Sequence, residues 1–134
     1  MKTTIISIII LTLLVTATGT AFAAHSPFSG AWRSIDIDGS RQQMKIGGGN
    51  NGVFRISFVD HAASFCGGLP IRGKGTGQIG SDGVLHTDLD FRCLGGLKKG
   101  VNDVDYRLVY DEASNTLTDA WGVTWNRTRR SSKK

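Results

Sequence analysis

The residues best suited to chemistry are two cysteines, Cys66 in FCGGLP and Cys93 in RCLGGL, each followed almost at once by Gly-Gly-Leu. Three roles are open to such a pair: a redox couple, half of a metal site, or a disulfide. The spacing is far too long for a Cys-x-x-Cys redox motif. Neither cysteine has partners that complete a four-ligand zinc set. The first residues decide between the remaining options. Lys2, an apolar run from Ile5 to Val15 and small residues leading to Ala21-Phe22-Ala23 have the layout of a secretory signal over residues 1–23, cleaved after Ala23. In an oxidising compartment, two cysteines in a small domain pair. The expectation is a Cys66–Cys93 disulfide in a secreted or periplasmic protein, contributing about 3–4 kcal/mol through the unfolded state.

Other constellations offer less. His86, Asp88 and Asp90 align on one face of an alternating segment, a row that suits a metal or acid–base work. Their face is the polar one, so they read as a solvated exterior. The DIDG stretch at positions 36–39 resembles a calcium loop but lacks the third acidic position and the distal Glu. It reads as a hairpin turn. Cleavage after Ala24 would leave His25 as a copper-chelating terminus, yet it would put bulky Phe22 where a small residue belongs. No Gly-x-Ser-x-Gly, His-Glu-x-x-His or phosphate-cradling Gly-rich loop is present. The expectation is a non-catalytic protein, with no metal and no cofactor.

Charge excludes one more class. The chain carries 16 Lys and Arg against 11 Asp and Glu, a formal net charge of +5. Arg127, Arg129, Arg130, Lys133 and Lys134 supply much of that excess from the C-terminal end, and the remaining chain after the signal is close to neutral. The positive balance therefore describes a tail, residues 129–134, and not a nucleic-acid-binding face. Such a tail touches anionic surfaces weakly by counterion release. The signal's apolar run is shorter than the about 20 residues of a membrane-spanning helix, and no later segment approaches that length.

The elements that must position the cysteines are strands. Short runs alternate apolar and polar residues and are separated by Gly, Asp and Asn: 30–35, 42–46, 53–59, 71–79, 84–93, 104–110, 116–120 and 123–128. Period-two patterning at this spacing predicts antiparallel strands with one buried face. About eight strands joined by short consecutive turns predict a single all-β domain over residues 24–128, an up-and-down antiparallel barrel with one disulfide. Trp32, Phe54, Phe58, Phe91, Tyr106, Tyr110 and Trp125 fall on the inward face. Gly73, Gly75 and Gly77 share the face of Ile71 and Ile79. They leave room either for a ligand or for a ring from across the barrel.

Gly30-Ala31-Trp32 on the first strand and Trp125-Asn126-Arg127 on the last resemble the signature of the calycin superfamily, the group of lipocalins, fatty-acid-binding proteins and avidins. The resemblance implies a Gly-x-Trp that opens the barrel and a cation near the end of the last strand that packs across the tryptophan. Here these would be Gly30, Trp32 and Arg127, with a cation–π contact closing the base. The short loop after the first strand, and the lack of a helix before the last, suit the avidin-like or small bacterial protease-inhibitor branches better than most lipocalins. No set of polar residues maps onto a biotin site.

In a meander, loops fall alternately at opposite ends. Positions 36–40, 61–70, 94–103 and 120–122 share one end, and its two long loops carry the cysteines. Pairing Ile79 with Val84 would bring Pro70 opposite Cys93, so that the disulfide ties both long loops to one rim. Loops held by a scaffold are where small barrels place recognition. The expected function is binding of a small apolar or amphipathic ligand, with Trp32, Phe54, Phe58, His61, Phe65, Tyr106 and Tyr110 as its site. Leu69, Lys98 and Lys99 would help to shape the entrance. The competing expectation is an exported protein partner, such as a protease, held by Phe65, Leu69, Leu94 and Leu97 at the loop tips.

Overall fold

Phe54, Ile56 and Phe58 are buried while Arg55 and Ser57 between them are exposed, and the same alternation recurs around the chain. In the computed structural model, residues 26–49, 51–96 and 99–128 are described. The signal segment, His25, Leu97, Lys98 and the basic tail lie outside the described residues. The strands are β1 (Gly30–Ile35), β2 (Arg41–Gly48), β3 (Phe54–Ala63), β4 (Leu69–Ile79), β5 (Leu85–Cys93), β6 (Val101–Asp105), β7 (Leu108–Asp111), β8 (Thr116–Asp119) and β9 (Thr124–Arg127). Neighbours pair antiparallel, β4 pairs with β5, and β9 returns to β1 with Arg127 opposite Trp32. The sheet thus closes into a barrel, and β6 alone pairs on one side only, with β5.

Nine strands fill eight positions, because the sixth is interrupted. The sequence predicts one strand over 104–110. β6 and β7 instead leave Tyr106 and Arg107 between them. On either side of the break the register against β5 is the same, Asp105 opposite Asp88 and Leu108 opposite Leu85, and it shifts only farther along β6, between Leu89 and Phe91. At the break the Thr87 hydroxyl donates to the Tyr106 carbonyl at 2.7 Å, replacing part of the lost ladder. Tyr106 still points inward, 4% exposed.

The β4–β5 register also differs by one residue from the expected pairing: Ile79 faces Leu85, and Ile71 faces Cys93. The cause is the turn. Gly80 N–H donates to the Val84 carbonyl and Gly83 N–H to the Gly80 carbonyl, with Gly83 at φ 76°. This is a three-residue hairpin loop, 81–83, whose last residue must take the left-handed conformation, where the expected pairing left a four-residue turn, 80–83. Turns ending in Gly39, Gly52 and Gly122 repeat the same hydrogen-bond pair and the same positive φ. DIDG is one of them, a turn as expected.

Gly73 does not leave space for a ligand. A side chain there would collide with the Phe91 ring, so the glycine makes room for an aromatic residue already inside. The core is continuous from Phe28 and Trp32 through Leu85, Leu89, Leu108 and Leu117 to Phe91 and Tyr106.

One end is shut by the pair that the resemblance anticipates. The Arg127 guanidinium carbon lies 4.1 Å from the centre of the Trp32 ring. Arg127 also donates to the carbonyls of Ser29 and Pro27 and to Asn115 Oδ1. The Trp32 indole N–H donates to the Phe28 carbonyl at 2.9 Å. Gly30, at φ 144°, explains the Gly-x-Trp spacing: a Cβ there would come within 2.6 Å of Arg127 Nη1.

Candidate functional site

The disulfide forms, with Cα atoms 5.7 Å apart, and joins the turn at Ser64–Cys66 to the end of β5. Cys66 is buried beneath it. The Leu94 N–H donates to the Pro70 carbonyl at 2.7 Å, so covalent and hydrogen bonds hold the two long loops to one rim. A cavity of about 450 Å³ opens at this end.

The cavity wall is aromatic. Phe58, Phe65, Phe91, Tyr106 and Trp121 contribute to it. Phe58 packs edge-on against Phe91 at 5.2 Å and against Trp125 at 5.6 Å, and Trp121 lies 5.0 Å from the Tyr106 ring at the entrance. Three of the seven predicted ligand-site residues are therefore brought together: Phe58, Phe65 and Tyr106.

The other four are elsewhere. Trp32 is buried beneath Arg127, and Phe54 and Tyr110 pack on Phe28 in the shut half of the barrel. Tyr110 donates to Asn115 Oδ1 rather than into the cavity. His61 was expected in a loop, but β3 runs on to Ala63 and carries His61 on its outer, exposed face beside Gln43. The strand, four residues longer at this end than expected, keeps its alternation through His61 and turns it away. At the rim Leu69 is half-buried, and Leu94 and Lys99 are exposed. His86, Asp88 and Asp90 sit along the outer face of β5, where His86 Nε2 pairs with Asp82 Oδ2 at 3.0 Å.

The polar groups of the wall are the larger departure from expectation. Asp36, Asp38, Gln42, Asp60 and Asp119 line the cavity, and among the described residues the lining includes no Lys, Arg or His. Asp119 is 7% exposed. Its Oδ2 accepts from the Tyr106 hydroxyl at 2.6 Å and from the Trp125 indole N–H at 3.1 Å. Its Oδ1 accepts from the backbone N–H groups of Trp121 and Val123. Asp60, 3% exposed, accepts from the Ala62 N–H at 3.0 Å and from Gln42 Nε2 at 3.3 Å. Among the described residues, no cation lies within ion-pair distance of any of these four carboxylates.

Burial, then the hydrogen bond and charge of Asp119, push the Tyr106 hydroxyl well above the ordinary phenol range. Hydrogen bonds from Ser40 hold the Asp38 carboxyl below its usual value.

A signal for the missed residues does exist. Ser34 follows Trp32 in phase, Gln42 precedes Met44, Asp60 follows Phe58, and Asp119 follows Leu117. Each is a polar residue on the inward phase of its strand, and each is buried. Polar residues that continue an apolar alternation at one end of several strands mark the lining of a barrel mouth. Trp121 lies in a turn, where no periodicity exists to show it.

Comparison with protein-family models, curated proteins and solved structures finds no significant match to this chain.

Proposed function

We propose that this is an exported, non-catalytic binding protein of the calycin type, which takes a small apolar or amphipathic ligand into the mouth of its barrel. The observation that carries this reading is the aromatic-lined cavity of about 450 Å³ at the end where the disulfide ties the loops. Its size falls within the roughly 300–1,000 Å³ of small-molecule sites. The disulfide, together with the signal-like N-terminus, supports residence in the periplasm or outside the cell. Among the described residues no helix is long and apolar enough to cross a membrane. The Arg127–Trp32 contact supports the calycin assignment.

Tryptophan fluorescence tests the reading, because Trp121 stands at the entrance and Trp125 beneath the floor. Titration with a mixed lipid and metabolite extract should give a saturable change, and native mass spectrometry should show a retained small molecule. Silence in both measurements would overturn it.

A second reading has its own observation. Ile37 is 84% exposed and Trp121 57%, and with Phe65 and Leu94 they place one large apolar side chain on each of the four mouth loops. Exposed apolar anchors around a rim suit a protein partner such as an exported protease. Inhibition of an exported protease that is lost in Ile37→Asp but kept in Asp60→Asn would favour this reading over the first.

A further inference from the structure

We propose, resting on the ligand reading above, that the ligand is an organic cation: a protonated amine carrying an apolar body. Among the described residues, the mouth offers negative charge without compensation. Asp60 and Asp119 are buried in its wall, Asp36 and Asp38 stand at its lip, and among the described residues no basic side chain lines it. An ionised carboxylate taken out of water is stabilised by a counter-charge, and here the described residues supply only neutral donors.

Gln42 makes the second, independent point. It is 7% exposed, lines the cavity, and spends its amide N–H₂ on Asp60 Oδ2 at 3.3 Å. Its Oε1 is buried, and no described residue donates to it. Buried acceptors in folded proteins are almost always satisfied, so one left open beside a cavity asks for a donor from outside the chain. A primary ammonium has three N–H donors and no acceptor. It can serve Asp60 and Gln42 together, whereas a carboxylate ligand would serve neither. Phe58, Phe65 and Trp121 then supply apolar contact and negatively charged ring faces, the surroundings in which organic cations are held.

The test compares octylammonium, 1-octanol and octanoate, which share a chain and differ in charge, by calorimetry and tryptophan fluorescence on the purified protein. Octylammonium should bind at least about tenfold more tightly than 1-octanol, and octanoate more weakly than either. Asp60→Asn, which keeps the side chain's shape, should remove about tenfold of the octylammonium affinity and weaken 1-octanol by much less. The three-ligand comparison on the unmodified protein needs no variant, so the inference stays testable even if Asp60→Asn folds poorly. Equal affinity for octylammonium and 1-octanol would overturn the charge inference and leave the ligand reading standing. Binding of none of the three would overturn both.

Discussion

The Tyr106 hydroxyl donates to Asp119 Oδ2 at 2.6 Å, in the floor of the mouth, and it does so from the one inward position where the sixth strand of the barrel is broken. The bond ties an interrupted strand to a buried carboxylate. Tyr106→Phe would leave that oxygen with the Trp125 indole as its sole donor. Hydrogen bonds to charged groups are worth about 1.5–3 kcal/mol, so urea denaturation should show a loss of that order. A loss near zero would mean that the bond is dispensable.

The same bond sets an alkaline limit. The folded chain holds the Tyr106 proton more tightly than the unfolded chain does, because burial and Asp119 raise its pKa. The resulting stability is complete below the ordinary phenol value of about 10 and is lost as pH rises above it. Between about pH 9 and 11 the unmodified protein should therefore lose stability faster than Tyr106→Phe does. Parallel profiles would contradict this.

At the shut end, Arg127 works as a planar fork as well as a charge, reaching Trp32, Ser29, Pro27 and Asn115 at once. Arg127→Ala should cost about 2 kcal/mol and lower the thermal midpoint by roughly 4–8 °C for each kcal/mol. Arg127→Lys should recover less than half of that, because an ammonium keeps the charge and loses the fork. Full recovery by lysine would show that charge alone matters.

The disulfide should act on the rim and not on the barrel. Cys66→Ser with Cys93→Ser removes a constraint worth about 3–4 kcal/mol, while alternating burial on each strand still sets the register. The thermal midpoint should fall, and far-ultraviolet dichroism of the native state should keep its β-signature. Collapse of that signature under native conditions would mean that the bridge specifies the fold. Two reactive thiols in freshly isolated protein would remove the premise.

The sequence showed the barrel more readily than the site, for a physical reason. Alternation is a property of every residue along a strand, so Phe54-Ile56-Phe58 declares its face whatever lies beyond it. The cysteines likewise announced the rim that they join. Aromatic residues alone could not distinguish mouth from base: Trp32, Phe54 and Tyr110 share the inward phase with Phe58 and Tyr106, but they fill the shut half. Height along the barrel axis separates them, and it depends on register and closure. The one-residue difference introduced by Gly83 shows how easily a turn changes register. Asp60, Asp119 and Gln42 are polar residues at strand ends. Their inward phase was legible; their burial required the barrel to close around them.

Three indole N–H groups report on three heights of the barrel, and they test most directly whether ligand enters at the mouth. Trp32 is bonded to the Phe28 carbonyl at the shut end, Trp125 to Asp119 under the cavity, and Trp121 stands at the entrance. In a nitrogen–proton correlation spectrum titrated with octylammonium, the account predicts saturable shifts for Trp121 and Trp125 and a stationary Trp32. A shift confined to Trp32, or no shift at any of the three, would contradict it.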